Sequence, residues 1–140
     1  MRKVRVETED QGLLCVAEVA DSHWTRFWGL MGRKSLPEGG GLWISPCNSV
    51  QTTFMRFPLD LVYLTRDNGV AKTCSRVKPW RLSFGGPEAH SVLELPPGTF
   101  DACPLRAGEK LSIRPLELGA SDVSAPAAPR EPTASENADR

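Results

Sequence analysis

Two charged side chains, Arg56 and Asp60, interrupt the longest nearly uncharged stretch of the chain, residues 47–65. Burying a bare carboxylate is costly, so such a group usually has a partner or a shifted pKa. Arg56 is the obvious partner, and the pair could hold an anionic ligand, with Asp60 orienting it or acting as a general base. The alternative is structural: Asp60 accepts backbone N–H bonds, or pairs with Arg56, and fixes the bend at Pro58. The sequence favours the structural alternative.

Three further side chains could contribute to a polar or catalytic site. His90 opens a predicted strand beside a loop, which is an accessible place for an acid–base group. Cys47, His90 and Asp60 could assemble a nucleophilic arrangement, because such triads are built from distant residues. No strand–turn–helix elbow surrounds Cys47, so this hydrolase-like arrangement is a minor alternative. Glu94 could supply a second carboxylate to a polar pocket.

A basic and aromatic run follows the predicted hairpin. Arg76, Lys78 and Trp80 alternate on one face of an extended segment, and Arg81 follows. This pattern could stack a base and contact phosphates of a single-stranded nucleic acid. A solvated edge strand is the simpler interpretation, and it is favoured because the domain is nearly neutral. Phe54 and Trp80 could also border a partly exposed aromatic groove, which would be a recognition surface.

The length and charge of the chain limit the classes of function it can have. The 140 residues suffice for one domain, and the formal net charge is zero. Residues 119–140 carry four acidic and two basic side chains, so residues 1–118 are only mildly basic. A dedicated nucleic-acid-binding domain is usually strongly basic, so composition argues against a nucleic-acid partner.

Cysteine spacing and the N-terminal residues suggest the compartment. The four cysteines include no CxxC pair and have no nearby histidine pair, so we expect reduced thiols and neither metal nor cofactor. Acidic residues at positions 7, 9 and 10 stand where the apolar part of a signal peptide would be. No run approaches the roughly 18 apolar residues of a membrane span. We therefore expect a cytoplasmic protein without membrane contact.

The periodicity of apolar residues predicts a β-rich α+β fold. From Leu59 the chain is apolar on both alternating faces, which predicts a central strand covered on both sides. Turn signals at Gln11-Gly12 and at residues 67–69 predict two hairpins. Apolar residues at helical spacing predict one main amphipathic helix over about residues 22–31. We expect a mostly antiparallel sandwich or open barrel of about seven strands in residues 1–118, followed by a disordered Ala/Pro/Ser-rich tail, 119–140.

Several motifs resemble a known family. They are, in chain order, GLMGR at 29–33, FMRFPLD at 54–60, DNG at 67–69, VLEL at 92–95 with Gly98, and Gly108. Their order and spacing resemble domain-of-unknown-function family 192 over roughly residues 5–115. The resemblance implies a compact β-rich domain with one main helix and supplies no catalytic residues. The family's usual segment has Lys-Asn-Thr after the Met where this chain has Arg56-Phe57.

These observations together predict a monomeric, non-enzymatic accessory module that binds a small molecule or a protein. The ligand would meet a groove near Arg56 and Asp60, and the candidate contact residues are Arg56, Asp60, Phe54, Trp80, His90 and Glu94. The first alternative is a hydrolase-like enzyme that uses Asp60 with His90 or Cys47. The second is a weak single-stranded nucleic-acid binder that uses Arg76, Lys78, Trp80 and Arg81.

Overall fold

A computed structural model describes residues 2–20, 36–53 and 55–116. The predicted helix at 22–31, the candidate residue Phe54 and the predicted tail lie outside this part. The described residues form nine strands and one short helix: β1 (Lys3–Thr8), β2 (Gly12–Ala20), β3 (Gly40–Ile44), β4 (Ser49–Gln51), β5 (Leu59–Leu64), β6 (Val70–Val77), β7 (Leu82–Phe84), β8 (Ser91–Leu95), α1 (Thr99–Ala102) and β9 (Leu111–Pro115).

Seven of the strands form one curled sheet, a half-barrel, in the order β6-β5-β8-β3-β2-β1-β9. Its pairs are antiparallel except β2–β3, which is parallel. Strands β4 and β7 form a separate two-stranded sheet. The β-rich fold predicted from the sequence is therefore confirmed, and so are the two hairpins, β1–β2 and β5–β6.

The two edge strands of the main sheet meet at one end. A backbone bridge joins Gly69, in the β5–β6 turn, to Lys110 before β9. The Val70 N–H donates to the Glu109 carbonyl at 2.7 Å, and the Gly108 N–H donates to the Val70 carbonyl at 2.8 Å. These bonds curl the sheet, because they bring its first and last strands together.

Strand β5 is buried along its whole length. Leu61 and Tyr63 pack in a cluster on one face of the sheet, and Val62 and Leu64 pack in a second cluster on the other face. The sequence predicted these two faces correctly. The prediction that β5 is the central strand is wrong, since β5 lies next to the edge strand β6. Its burial comes instead from layers that cover both faces of the sheet.

Candidate functional site

Strand β6 bulges where it passes Asp60. Leu59 pairs with Val77 and Leu61 pairs with Cys74, so two residues of β6 lie opposite the single residue Asp60. One of the two, Arg76, has a φ of 49°. Few residues other than glycine adopt this left-handed conformation. A bulge of this kind bends the strand and re-aims a side chain, here that of Arg76.

The Asp60 carboxylate stabilises this bulge by accepting a hydrogen bond from it. Asp60 is fully buried, and its Oδ1 accepts the Arg76 N–H at 2.8 Å while its Oδ2 accepts the Phe100 N–H at 3.1 Å. The expected partner, Arg56, is exposed, and no ion pair joins it to Asp60 among the described residues. Asp60 therefore ties β5 to β6 and to α1, and it does not face an open groove beside Arg56.

A second buried side chain, Thr52, holds the loop between β6 and β7. The Thr52 hydroxyl donates to the Lys78 carbonyl at 2.7 Å and accepts the Arg81 N–H at 2.8 Å. Its main chain forms two more bonds with this loop, to Arg81 at 2.9 Å and to Trp80 at 3.1 Å. Trp80 has a φ of 64°, and 61% of its surface is exposed. Thr52 thus fixes a strained backbone that presents the indole to solvent.

The bulge and this loop border an open groove between β6 and β7, which we call the β6–β7 groove. Its volume is about 600 Å³. The residues that line it are Lys72, Arg76, Val77, Lys78, Arg81, Leu82, Ser83 and Phe84. All ionisable side chains among them are basic. Leu82 and Phe84 are large apolar residues that are 62% and 60% exposed.

The basic side chains differ in how they are engaged. Arg76 Nη2 donates to Asp101 Oδ2 at 2.6 Å, and this hydrogen bond and charge lower the pKa of Asp101 and raise that of Arg76. Lys72 Nζ donates to the Phe84 carbonyl at 2.7 Å, which bridges β6 and β7. Lys78 and Arg81 form no ion pair within residues 2–20, 36–53 and 55–116. Lys78 and Arg81 can therefore bind a ligand without loss of an ion pair or of the bridge between β6 and β7.

The β7 side of the groove rests on β5 and β6 through Ser83. The Tyr63 hydroxyl lies 2.9 Å from Ser83 Oγ, and Cys74 Sγ lies 3.8 Å from the same atom. Burial raises the pKa of Tyr63 to about 12, so the phenol stays protonated and donates this hydrogen bond. Because Ser83 points toward the sheet, its neighbours Leu82 and Phe84 point away from it, as alternation along a strand requires.

The structure separates the members of the hydrolase-like arrangement. The Cys47 N–H donates to the His90 carbonyl at 2.8 Å, so these residues are neighbours, but the Cys47 thiol is buried and lies 3.0 Å from the Ser49 carbonyl. Asp60 pairs with Leu95, which is five residues beyond His90 along β8. At about 3.4 Å per residue, His90 and Asp60 lie roughly 17 Å apart. Asp60 therefore does not meet His90.

The remaining candidate residues are distributed over the fold. Glu94 is buried on the same face of β8 as Val92, between Leu42 of β3 and Leu61 of β5. None of the described candidate contact residues of the binding-module hypothesis lines the β6–β7 groove. Trp80 belongs to the loop that carries Lys78 and Arg81, and Asp60 accepts the main-chain N–H of Arg76.

The nucleic-acid alternative named Arg76, Lys78, Trp80 and Arg81, and the structure brings Arg76, Lys78 and Arg81 together in the lining of the groove, while Trp80 lies between the last two along the chain. Sequence reasoning missed Lys72, Phe84 and Thr52, because only the fold brings them to the other groove residues and no local spacing marks them.

Other kinds of site find little support in the described part of the chain. No group of three or more His, Cys, Asp or Glu side chains there could hold a metal ion. No helix in these residues is long and apolar enough to cross a membrane.

Comparisons with known proteins identify a family and a fold. The family model DUF192, described as "Uncharacterized ACR", matches residues 4–113 and confirms the resemblance found in the sequence. No curated protein matches the chain. A solved structure from Sinorhizobium meliloti 1021, described as a "putative transcription regulator", has a TM-score of 0.70 at 20% identity and covers 80% of this chain and 92% of its own.

A second solved structure, a protein of unknown function from Novosphingobium aromaticivorans DSM 12444, has a TM-score of 0.68 at 22% identity. The match covers 79% of this chain and 83% of that protein. Both likenesses show the fold.

Proposed function

The chain belongs to DUF192, a family without an established activity, and we propose that it is a non-enzymatic module that binds an anionic partner in the β6–β7 groove. The proposal keeps the binding module expected from the sequence and moves its site. Asp60 accepts two main-chain N–H groups, one of them that of Arg76, while Arg76, Lys78 and Arg81 line the groove.

One observation carries the proposal: four basic side chains line one open groove whose lining contains no carboxylate, and the ion pair of Arg76 with Asp101 leaves the charges of the other three unpaired within the described residues. Like charges placed side by side repel each other, and an anion that lies between them offsets this repulsion. Lys78 and Arg81 have no acidic partner in the described part of the chain. A bound anion would therefore give them a negatively charged partner that these residues do not supply. The exposed Leu82 and Phe84 add apolar surface for the non-ionic parts of the same partner.

The backbone of the groove is also held in place before any ligand arrives. Arg76 and Trp80 both adopt positive φ values, and their main-chain N–H groups donate to the buried residues Asp60 and Thr52, which fixes them. Residues held in sparsely populated conformations cluster at ligand-binding sites, where the surrounding structure stabilises them. A preorganised surface loses less conformational entropy on binding.

Retention on immobilised heparin, a general polyanion, tests this proposal. We expect the full chain to be retained at low salt and the Lys78→Ala/Arg81→Ala variant to elute at a clearly lower salt concentration. The matched control is Arg66→Ala/Arg106→Ala, which removes the same charge from two exposed turns away from the groove. Equal shifts in both variants would mean that retention reflects net charge alone, and the groove would not be the site.

A further inference from the structure

We infer that the anionic partner is a single-stranded nucleic acid, with one base stacked on Trp80 and its phosphates on Lys78 and Arg81. This inference rests on the proposed function, since it names the partner of the same groove. Single strands are bound by combining a positive groove that follows the backbone with aromatic side chains on which the bases stack. Both components are present here within a few residues of each other.

Trp80 has the position that a stacking platform requires. Its indole is largely exposed, although tryptophan is usually well buried in proteins of this size. The conformation of its loop is held by Thr52, which forms two main-chain hydrogen bonds, and two through its side chain, with residues 78–81. A rigid, exposed aromatic ring loses little entropy when a base stacks on it.

The cations flank this ring on both sides along the chain. Lys78 precedes Trp80 by two residues, and Arg81 follows it directly. Lys72 and Arg76 continue the positive charge along β6. Phe84 lies at the far end of the groove and offers a second aromatic face. The arrangement provides charge for successive phosphates and rings for more than one base.

A double helix fits this surface less well. Proteins that read duplex DNA insert an α-helix or a protruding β-ribbon into the major groove. The helix among the described residues, α1, has four residues and contacts Asp60 beneath the groove. The candidate surface is a shallow open groove without a protruding element, so it can lie along one strand and cannot enter a groove of two.

An acidic peptide added as a further strand is also disfavoured. The Gly85 N–H donates to Asn48 next to β4, and Arg81 bonds to Thr52 at the other end, so the main-chain groups of Leu82 and Phe84 face the free edge of β7. The Phe84 carbonyl on that edge already accepts a bond from Lys72. A peptide strand would have to replace this bond, whereas a ligand held by stacking and charge leaves it intact.

Fluorescence anisotropy with a labelled single-stranded oligonucleotide of about 12 nucleotides, a length within the usual site sizes, tests the inference. We expect Trp80→Ala to weaken binding about tenfold and Trp80→Phe to restore most of it, because phenylalanine retains an aromatic face. Lys78→Ala/Arg81→Ala should reduce the slope of log K against log salt by about 1.4, since each phosphate contact contributes about 0.7 for single strands. Trp80→Ala should leave that slope unchanged.

Competition with unlabelled duplex of the same sequence, with poly-glutamate and with anionic lipid vesicles identifies the partner class. The inference fails if any of these competes better than the single strand, or if Trp80→Ala binds as tightly as the unmodified protein. Retention on heparin through Lys78 and Arg81 without oligonucleotide binding would refute the nucleic acid and leave the proposed function standing. Loss of both would refute both. Thermal melts of each variant confirm that the exposed substitutions leave the fold intact.

Discussion

Asp60 holds the backbone of Arg76, a residue that lines the β6–β7 groove. Its two oxygens accept the main-chain N–H groups of Arg76 and Phe100, which belong to the bulge of β6 and to α1. A carboxylate suits this position because it is acceptor-only, so each oxygen can meet a donor. Hydrogen bonds to a charged acceptor are also stronger than neutral ones, and here they help to offset the cost of burying the charge.

The Asp60→Asn variant tests this role at the level of one atom. Asparagine retains one carbonyl oxygen and places an NH₂ group where the second acceptor was, so one main-chain donor is left facing another donor. We expect the free energy of unfolding to fall by about 2 kcal/mol, a cost typical of a buried polar group left unsatisfied. Urea denaturation measures it.

Asp10→Asn, in the exposed β1–β2 turn, is the matched control and should change stability by less than about 0.5 kcal/mol. Oligonucleotide binding by Asp60→Asn should also weaken, because the backbone of Arg76 loses its anchor. Unchanged stability together with lost binding would mean that Asp60 itself contacts the ligand.

At the level of elements, the groove is formed by two segments that do not pair with each other. Strand β6 belongs to the edge of the half-barrel, and β7 belongs to the small sheet with β4. The hydroxyl of Ser83, the amine of Lys72 and the loop held by Thr52 connect the two. The position of β7 therefore depends on a few polar side chains and not on a continuous β-ladder.

The Thr52→Val variant tests how far this loop depends on one hydroxyl. Valine keeps the shape of threonine and removes the bonds to the Lys78 carbonyl and the Arg81 N–H. We expect unfolding to become about 1–3 kcal/mol easier, because Thr52 is fully buried and water cannot replace the lost bonds. Hydrogen exchange of the Arg81 amide should accelerate more than that of amides in β5.

Thr53→Val, next along the chain, provides the control, since within the described residues the Thr53 hydroxyl has just a long contact of 3.4 Å with the Gln51 side chain. If both variants exchange the Arg81 amide at the same rate, the loop is held by its main-chain bonds alone.

Elements with a local signal could be predicted from the sequence. The period-two pattern from Leu59 predicted both faces of β5, and the Asn68-Gly69 turn predicted the hairpin that follows. The site could not be predicted in the same way. The favoured structural interpretation of Asp60 allowed main-chain N–H donors or Arg56, and the structure shows main-chain donors and, among the described residues, no ion pair with Arg56. The donors come from residues 16 and 40 positions further along the chain, so no local pattern could identify them.

Tertiary pairing explains the other differences. Strands β2 and β3 are parallel, a relation that no turn signal encodes, because the chain must cross over between them. The place of β5 beside the edge strand likewise depends on the order of strands, which hydrophobic patterning does not specify. The hydrophobic pattern predicted that β5 is buried on both faces, and it did not predict which strands lie beside it.

At the scale of the molecule, the two ends of the half-barrel are held in different ways. At one end, main-chain bonds join the β5–β6 turn to residues 108–111, and Lys110 pairs with Asp67 at 3.0 Å. At the other end, Asp60 and α1 connect β5 and β6. We call the bonds at the first end the first closure, because they join the two edge strands, whereas β5 and β6 are already neighbours in the sheet.

Low pH should weaken the first closure, because two of the carboxylates that hold the edge strands become protonated. The hydrogen bond from the Thr65 hydroxyl, followed by the bond and charge of Lys110, lowers the pKa of Asp67 to about 2, below its ordinary value of 3.8. Burial tends to raise the pKa of Glu7, but hydrogen bonds from Arg5 and Arg114 outweigh it and the net shift is downward. A carboxyl whose pKa is lower in the folded state stabilises that state fully above its unfolded pKa and loses this effect as the pH falls through its folded pKa.

We therefore expect the urea midpoint to be steady from about pH 7 to about pH 5 and to fall progressively toward about pH 2. Amide exchange of Val70 and Leu111, which donate across the closure, should accelerate over the same range after correction for the intrinsic pH effect. Asp67→Asn should start from a lower midpoint at neutral pH and lose less on acidification, since it has no carboxylate to protonate at this site. Glu7→Gln should behave in the same way at the β1–β9 pairing, where Glu7 contacts Arg114 at 2.6 Å. If the acid profile of Asp67→Asn runs parallel to that of the unmodified protein, Asp67 does not control the closure, and the main-chain bonds alone hold the two edge strands together.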